Sequence, residues 1–211
     1  MARRTKSEAI ATRSSLIDAA EMMFSEKGVS RASLSDIAQA AGASRGAIYW
    51  HFKDKVDLFN AMMDRVTLPL EQGYGELKCS TCPDPLERLR AVLALVLRSV
   101  ATEERTRTVF EIALYKVEYV GELVGVRDRH VTASERFTHR LARDLELAAT
   151  SQHLVLPMTT MEAAVGLHAL FDGLIRNWLL CAAEFDLVRV GGVGVDAFLA
   201  GLGFSLPGAA P

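Results

Sequence analysis

The sequence predicts an all-α protein of about nine helices, with an N-terminal three-helix helix-turn-helix head and a C-terminal helical bundle. Three observations carry this. Apolar residues recur at three- and four-residue spacing along most of the chain, no segment sustains the alternation of a half-buried strand, and residues 33–55 read as two short helices joined by a tight turn.

Taken in order, residues 1–6 hold Arg3, Arg4 and Lys6 and no acid, which leaves two readings: a solvated terminus, or an arm that reaches a phosphate backbone or minor groove. Residues 7–27 form one helix with the apolar stripe Leu16, Ile17, Ala20, Met23 and Phe24, and Gly28 stops it. In the next helix Leu34, Ile37, Ala38 and Ala41 fall at helical spacing; Ser33 offers a capping oxygen and Asp36 a negative charge in the first turn. Gly42 supplies a left-handed stop, and Ser44 caps a third helix over residues 45–52. On it Ala47, Ile48 and Phe52 can turn inward. That leaves Ser44, Arg45, Gly46, Tyr49, Trp50, His51 and Lys55 on or beside the outer face, and such groups touch nucleic acid. Arg45 can donate two bonds to a guanine, Gly46 and Ala47 let the backbone approach a groove, and Lys55 adds to the positive end of the following helix.

Asp54 caps a fourth helix over residues 55–67, whose Val56, Leu58, Phe59 and Met62 pack on the head while its far end enters the body. Residues 69–85 carry Gly73, Gly75, two cysteines and prolines, the marks of a loop or a frayed helix end. Asp84 and Pro85 restart a helix as cap and first residue, continuing to about residue 100 through the apolar run 91–97. Residues 104–122 make a further helix, and residues 126–147 a long one with Arg127, Arg129, Arg136, Arg140 and Arg143 on polar faces. Thr159 and Glu162 form a capping box for a helix to about residue 183 that is nearly apolar all round, so it needs cover on several sides. Gly191, Gly192 and Gly194 read as the next break and residues 195–206 as the last helix. A phosphate loop at these glycines is disfavoured, since no strand precedes them.

Composition bounds the function. The 211 residues are 50% hydrophobic and 24% charged, with no apolar run near the ~20 residues that span a bilayer and no signal-peptide core, so a cytoplasmic protein is expected. The net charge of −2 hides an asymmetry: residues 1–55 hold nine Lys and Arg against six acids, and residues 56–211 hold 15 against 20. A basic head on an acidic body suits one surface placed against phosphates. An enzyme using Cys79, Cys82 or His168 is a poor rival, because no nucleophile has a recognisable base and no metal set is complete. No cofactor is expected. Cys79 and Cys82 leave three readings, an inert loop pair, a redox sensor or part of a metal site.

Leu34-Ser-Asp-Ile-Ala, Ala41-Gly-Ala-Ser-Arg-Gly-Ala-Ile-Tyr-Trp-His-Phe and Lys55-Val-Asp-Leu resemble the signature of TetR-family transcriptional regulators. Met1-Ala-Arg-Arg-Thr-Lys and Phe171-Asp-Gly-Leu-Ile-Arg-Asn-Trp-Leu are similar to the subgroup that represses multidrug efflux pumps. The resemblance implies a DNA-binding domain at residues 1–55 and a ligand-binding and dimerisation domain at residues 56–211. It implies phosphate contacts by Ser33, Tyr49, His51 and Lys55, with Ser44, Arg45, Gly46, Ala47 and Trp50 approaching base edges or the sugar wall. His168, Phe171, Asp172 and Ile175 share one helix face, which is either paired core or, by the resemblance, the wall of a drug pocket. The same carry-over adds Met62, Val66, Val92, Val96, Phe110, Leu114, Phe137 and Leu141; Glu111 reads equally as an ion-pair partner or a ligand contact. The partners implied are a near-palindromic double-stranded operator, a small hydrophobic or amphipathic ligand and a second copy of the chain, joined through the last two long helices. No membrane is involved. An activator rather than a repressor fits the same residues.

Overall fold

A computed structural model describes residues 6–80, 84–181 and 184–206, without the side chains of residues 74–80. Among them are nine α-helices, one 3-10 helix and no strand. The helices are α1 Lys6–Lys27, α2 Leu34–Ala40, α3 Arg45–His51, α4 Lys55–Ser80, α5 Pro85–Thr102, α6 Glu104–Tyr115, α7 Val124–Ser151, α8 Thr160–Leu180 and α9 Leu187–Gly201, with the 3-10 helix at Gly121–Leu123. They divide into two compact units. One comprises Met1–Leu68 and Thr108–His130, the other Pro69–Arg107 and Val131–Pro211. The first is larger than the head expected at residues 1–55, because α4 and α6 share its core.

That core is built by the stripe of α1, with Leu16, Ile17, Ala20 and Phe24 closed off from solvent, against Ile37, Ile48, Phe52, Leu58 and Met62. Phe24 and Phe59 set their rings 6.3 Å apart, and Val109 and Ile112 of α6 complete the cluster. Gly28 (φ 81°) ends α1 in the left-handed region, as its position predicts. The segment expected to be helical through residue 122 instead leaves the helix after Tyr115. The Lys116 carbonyl there accepts a hydrogen bond from the Val29 amide at 2.9 Å, and Gly121 turns at φ 57° into the 3-10 helix.

In the second unit α9 packs on α5 and on α8. The three glycines expected to break the chain lie inside α9, whose first turn Asp186 caps by accepting from the Arg189 amide. Close approach explains one of them: a Cβ on Gly191 would stand 2.5 Å from Leu97 Cδ1. Gly191→Ala should therefore destabilise the protein by about 1 to 3 kcal/mol, read as a lower denaturant midpoint, and less so in a Leu97→Ala background where the clash is relieved.

The break expected at residues 69–85 is likewise displaced. α4 runs through Pro69 to Ser80, and Gly73 lies where a Cβ would be 2.9 Å from Leu95 Cδ2 of α5, so the glycine there fits beside a neighbouring side chain and does not break the helix. Asp84 then caps α5 by accepting from the Leu86 amide at 2.9 Å. Inside this unit Arg88 and the fully buried Asp144 face each other at 3.5 Å. The α8 capping box is complete; bonds from the Thr159 hydroxyl and amide hold the Glu162 carboxyl below the ordinary range. The cap's contribution is thus present at neutral pH and is lost as the pH falls through that lowered value.

Candidate nucleic-acid interface

The reader is assembled by two caps and one glycine. Ser33 Oγ accepts from the Asp36 amide at 3.1 Å and Ser44 Oγ from the Ala47 amide at 3.2 Å, fixing the first turns of α2 and α3. Between them Gly42 sits at φ 65°, and the Ala43 amide bonds back to the Ala38 carbonyl at 2.9 Å. Ile37 and Ile48 anchor the two helices inward at 0% exposure. The opposite face of α3 is therefore presented outward with little freedom.

On that face Ser44, Arg45 and Gly46 are exposed, and so are Tyr49 (50%) and Trp50 (74%). A tryptophan this open in a turn that buries isoleucine is not core; it offers a flat apolar ring and an indole N–H to a groove wall. The Arg45 guanidinium lies 5.9 Å above the Tyr49 ring, which steadies it while leaving its fork of donors outward. Ala47 and His51 are half-buried, and the His51 ring meets Trp50 edge-on at 4.6 Å. Ser33 is exposed beside α2. Eight of the nine residues assigned to DNA thus lie along one capped helix pair.

Lys55 is the exception. It is 7% exposed, with Nζ 3.0 Å from the Ser30 carbonyl oxygen and 2.7 Å from Glu122 Oε1, so its ammonium turns inward instead of lying on the outer face. An ammonium that leaves solvent must find oxygens, and these come from distant segments that helical spacing does not reveal. Arg13 of α1, whose guanidinium stacks 5.1 Å above the Phe52 ring, is an exposed basic residue beside the reader that the motif did not contain.

The residues assigned to a ligand are divided between the units. In the first, Met62 and Val66 are buried core, Phe110 packs against the same cluster and Leu114 is half-buried. In the second, Val92, Leu141, Phe171 and Ile175 are buried, while Val96, Phe137, His168 and Asp172 are half-buried. The Phe137 ring meets His168 at 5.0 Å and Phe171 at 5.9 Å, so α7 and α8 build an aromatic cluster. His168 Nδ1 is 2.8 Å from Thr138 Oγ1, a partner no helical repeat on α8 could show. Asp172 Oδ2 accepts from Arg176 Nε at 2.6 Å, one turn on, so any cation or donor seeking that carboxylate competes with Arg176. Glu111 stands 3.8 Å from Lys116, the ion-pair reading of that residue. The side chain of Cys79 and the whole of Cys82 lie outside the described residues, as do Arg3 and Arg4. Among the described residues no cluster of three or more His, Cys, Asp or Glu could hold a metal ion.

A capped helix pair that turns arginine, tyrosine and tryptophan outward, in an otherwise helical chain, defines a helix-turn-helix DNA-binding regulator. The particular family follows from comparison: residues 16–62 match "Bacterial regulatory proteins, tetR family" and residues 84–204 match "MAATS-type transcriptional repressor, C-terminal region". The chain belongs to the TetR family of transcriptional regulators. It is 40% identical to the HTH-type transcriptional regulator AcrR of Shigella flexneri, over 90% of this chain and 88% of that one. NalD, the secondary repressor of the MexAB-OprM multidrug efflux pump in Pseudomonas aeruginosa, shares the fold with a TM-score of 0.83 and 34% identity over 93% of this chain and 98% of NalD. A SmeT–triclosan complex superposes with a TM-score of 0.81 and 31% identity, covering 95% and 97% of the two chains; SmeT is the repressor of the SmeDEF efflux pump of Stenotrophomonas maltophilia.

Proposed function

We propose that this chain represses a multidrug efflux operon by binding a near-palindromic operator as a homodimer, and that a small hydrophobic or amphipathic ligand releases it. The outward face of α3 carries the reading, in a chain similar along nearly its whole length to NalD and SmeT, both repressors of multidrug efflux pumps. Ser33, Tyr49 and His51 meet phosphates, and Ser44, Arg45, Gly46, Ala47 and Trp50 enter the major groove. Dimerisation is supported by exposed apolar residues on the last two helices, Met161, Val165 and Leu180 of α8 and Val193 of α9, which water covers at a cost that a second copy removes. The ligand's place in the second unit is the aromatic cluster of Phe137, His168 and Phe171 beside Asp172. Among the described residues no helix is long and apolar enough to cross a membrane, and a repressor works where the chromosome lies, in the cytoplasm.

SmeT has been solved with triclosan, which makes triclosan the first probe. Operator affinity should fall when triclosan is added, and by linkage the operator should weaken triclosan binding by the same factor, about 5- to 150-fold for an ordinary coupling. Phe171→Trp and Asp172→Ala should blunt this release while leaving ligand-free DNA affinity intact. An undiminished release in both variants would remove the cluster from the account.

A further inference from the structure

A lysine opening a helix next to a DNA-reading segment ordinarily extends into solvent, yet Lys55 is buried. Its ammonium meets oxygens from two other places in the first unit: Ser30, in the loop that delivers α2, and Glu122, in the 3-10 helix between α6 and α7. Two further contacts draw the same segments together. The Val29 amide donates to the Lys116 carbonyl, and a Cβ on Gly125 would stand 3.1 Å from Val56 Cγ1. Glu122 itself is 67% exposed, so burial does not force the pairing from its side; the sequestered ammonium needs the carboxylate. Gly121, in the left-handed region, sets the turn that presents it.

We propose that Glu122 is a positioning residue for operator binding: through Lys55 it fixes the loop before α2 against the start of α4, and with them the attitude of the recognition helix between. α6 enters this unit at Thr108 and α7 leaves it after His130, so the 3-10 helix is a second covalent route, besides α4, by which a change elsewhere in the chain reaches the reader. The inference rests on the reading of α3 as the operator helix.

The sign of one substitution tests it. Neutralising an acid near a DNA-facing surface ordinarily tightens binding by relieving repulsion; positioning requires the opposite. With the full-length protein and a duplex that the wild-type chain selects from random sequence, Glu122→Gln should weaken specific binding about tenfold, since it withdraws the charged partner of a buried ammonium. The slope of log affinity against log salt should stay at the wild-type value. Lys55→Met should weaken binding similarly, again with the slope unchanged, and the double variant should be no weaker than the worse single one. Glu118→Gln, which neutralises an exposed acid four residues earlier, should bind as tightly as wild type or more tightly. Thermal unfolding checks that each variant is folded at the assay temperature; should Lys55→Met fail there, the Glu122 and Glu118 pair decides. Affinity for Glu122→Gln equal to or above wild type would overturn the proposal, as would a salt slope lowered by about one in Lys55→Met, the mark of a lost phosphate contact. Failure of the wild-type chain to select any duplex would strike the operator reading instead.

Discussion

Alanine at position 45 should relax base preference and cost about 1 to 3 kcal/mol of specific binding, the worth of a bidentate arginine–guanine contact. The expectation comes from where the guanidinium stands. Ser44 caps the helix beneath it, Tyr49 braces it from the side, and the residue itself is exposed. Tyr49→Phe should behave differently, weakening binding on every sequence by removing a phosphate donor while leaving the ring on which Arg45 rests. Trp50→Ala, at the most exposed aromatic of the head, should lose groove contact without unfolding the unit. Binding to a library of single-base operator variants separates these patterns. A uniform loss for Arg45→Ala would reassign it to the backbone.

Placing aspartate at Val165 and Leu180 together should convert the dimer to a monomer and reduce operator affinity by orders of magnitude, because one reader then forfeits the second half-site. Both residues are more than half exposed on α8, so the substitutions place charge in the proposed interface without disturbing the packing of one chain. Gly166 and Leu174 are poorer choices for this test. A Cβ on Gly166 would meet Phe198 at 3.1 Å, and Leu174 lies against Gly194, so changes there strike the α8–α9 contact within the subunit. Sedimentation and operator titration of the same preparation check the outcome; a monomer that still binds the operator tightly would remove the dimer from the mechanism.

What the chain revealed before folding was whatever is written in neighbouring residues. The Ser33, Ser44, Asp84 and Thr159 caps each act within three residues of themselves, and each stands where the local pattern puts it. The face of α3 was legible for the same reason, since a seven-residue helix with Ile48 inward dictates which side chains turn out. The start of α9 at the local Asp186 cap was missed, but the other misreadings involve a distant partner. Gly191 and Gly73 look like breakers until Leu97 and Leu95 are seen to need the space, and residues 116–121 look helical until Val29 claims a carbonyl. Lys55 looks like a surface charge until Ser30 and Glu122 enclose it. Glycine and lysine are residues whose role depends on what approaches them, and local periodicity carries no record of that.

In the proposed complex α3 of two copies reads a specific duplex, with recognition helices in successive major grooves roughly 34 Å apart. The most direct test is equilibrium titration at physiological salt of two duplexes of equal length and composition, the selected near-palindrome and a scrambled sequence. One dimer or an integral number of dimers should bind per palindrome, with affinity at least about a thousandfold above that for the scramble. Equal affinity for the two duplexes would contradict it.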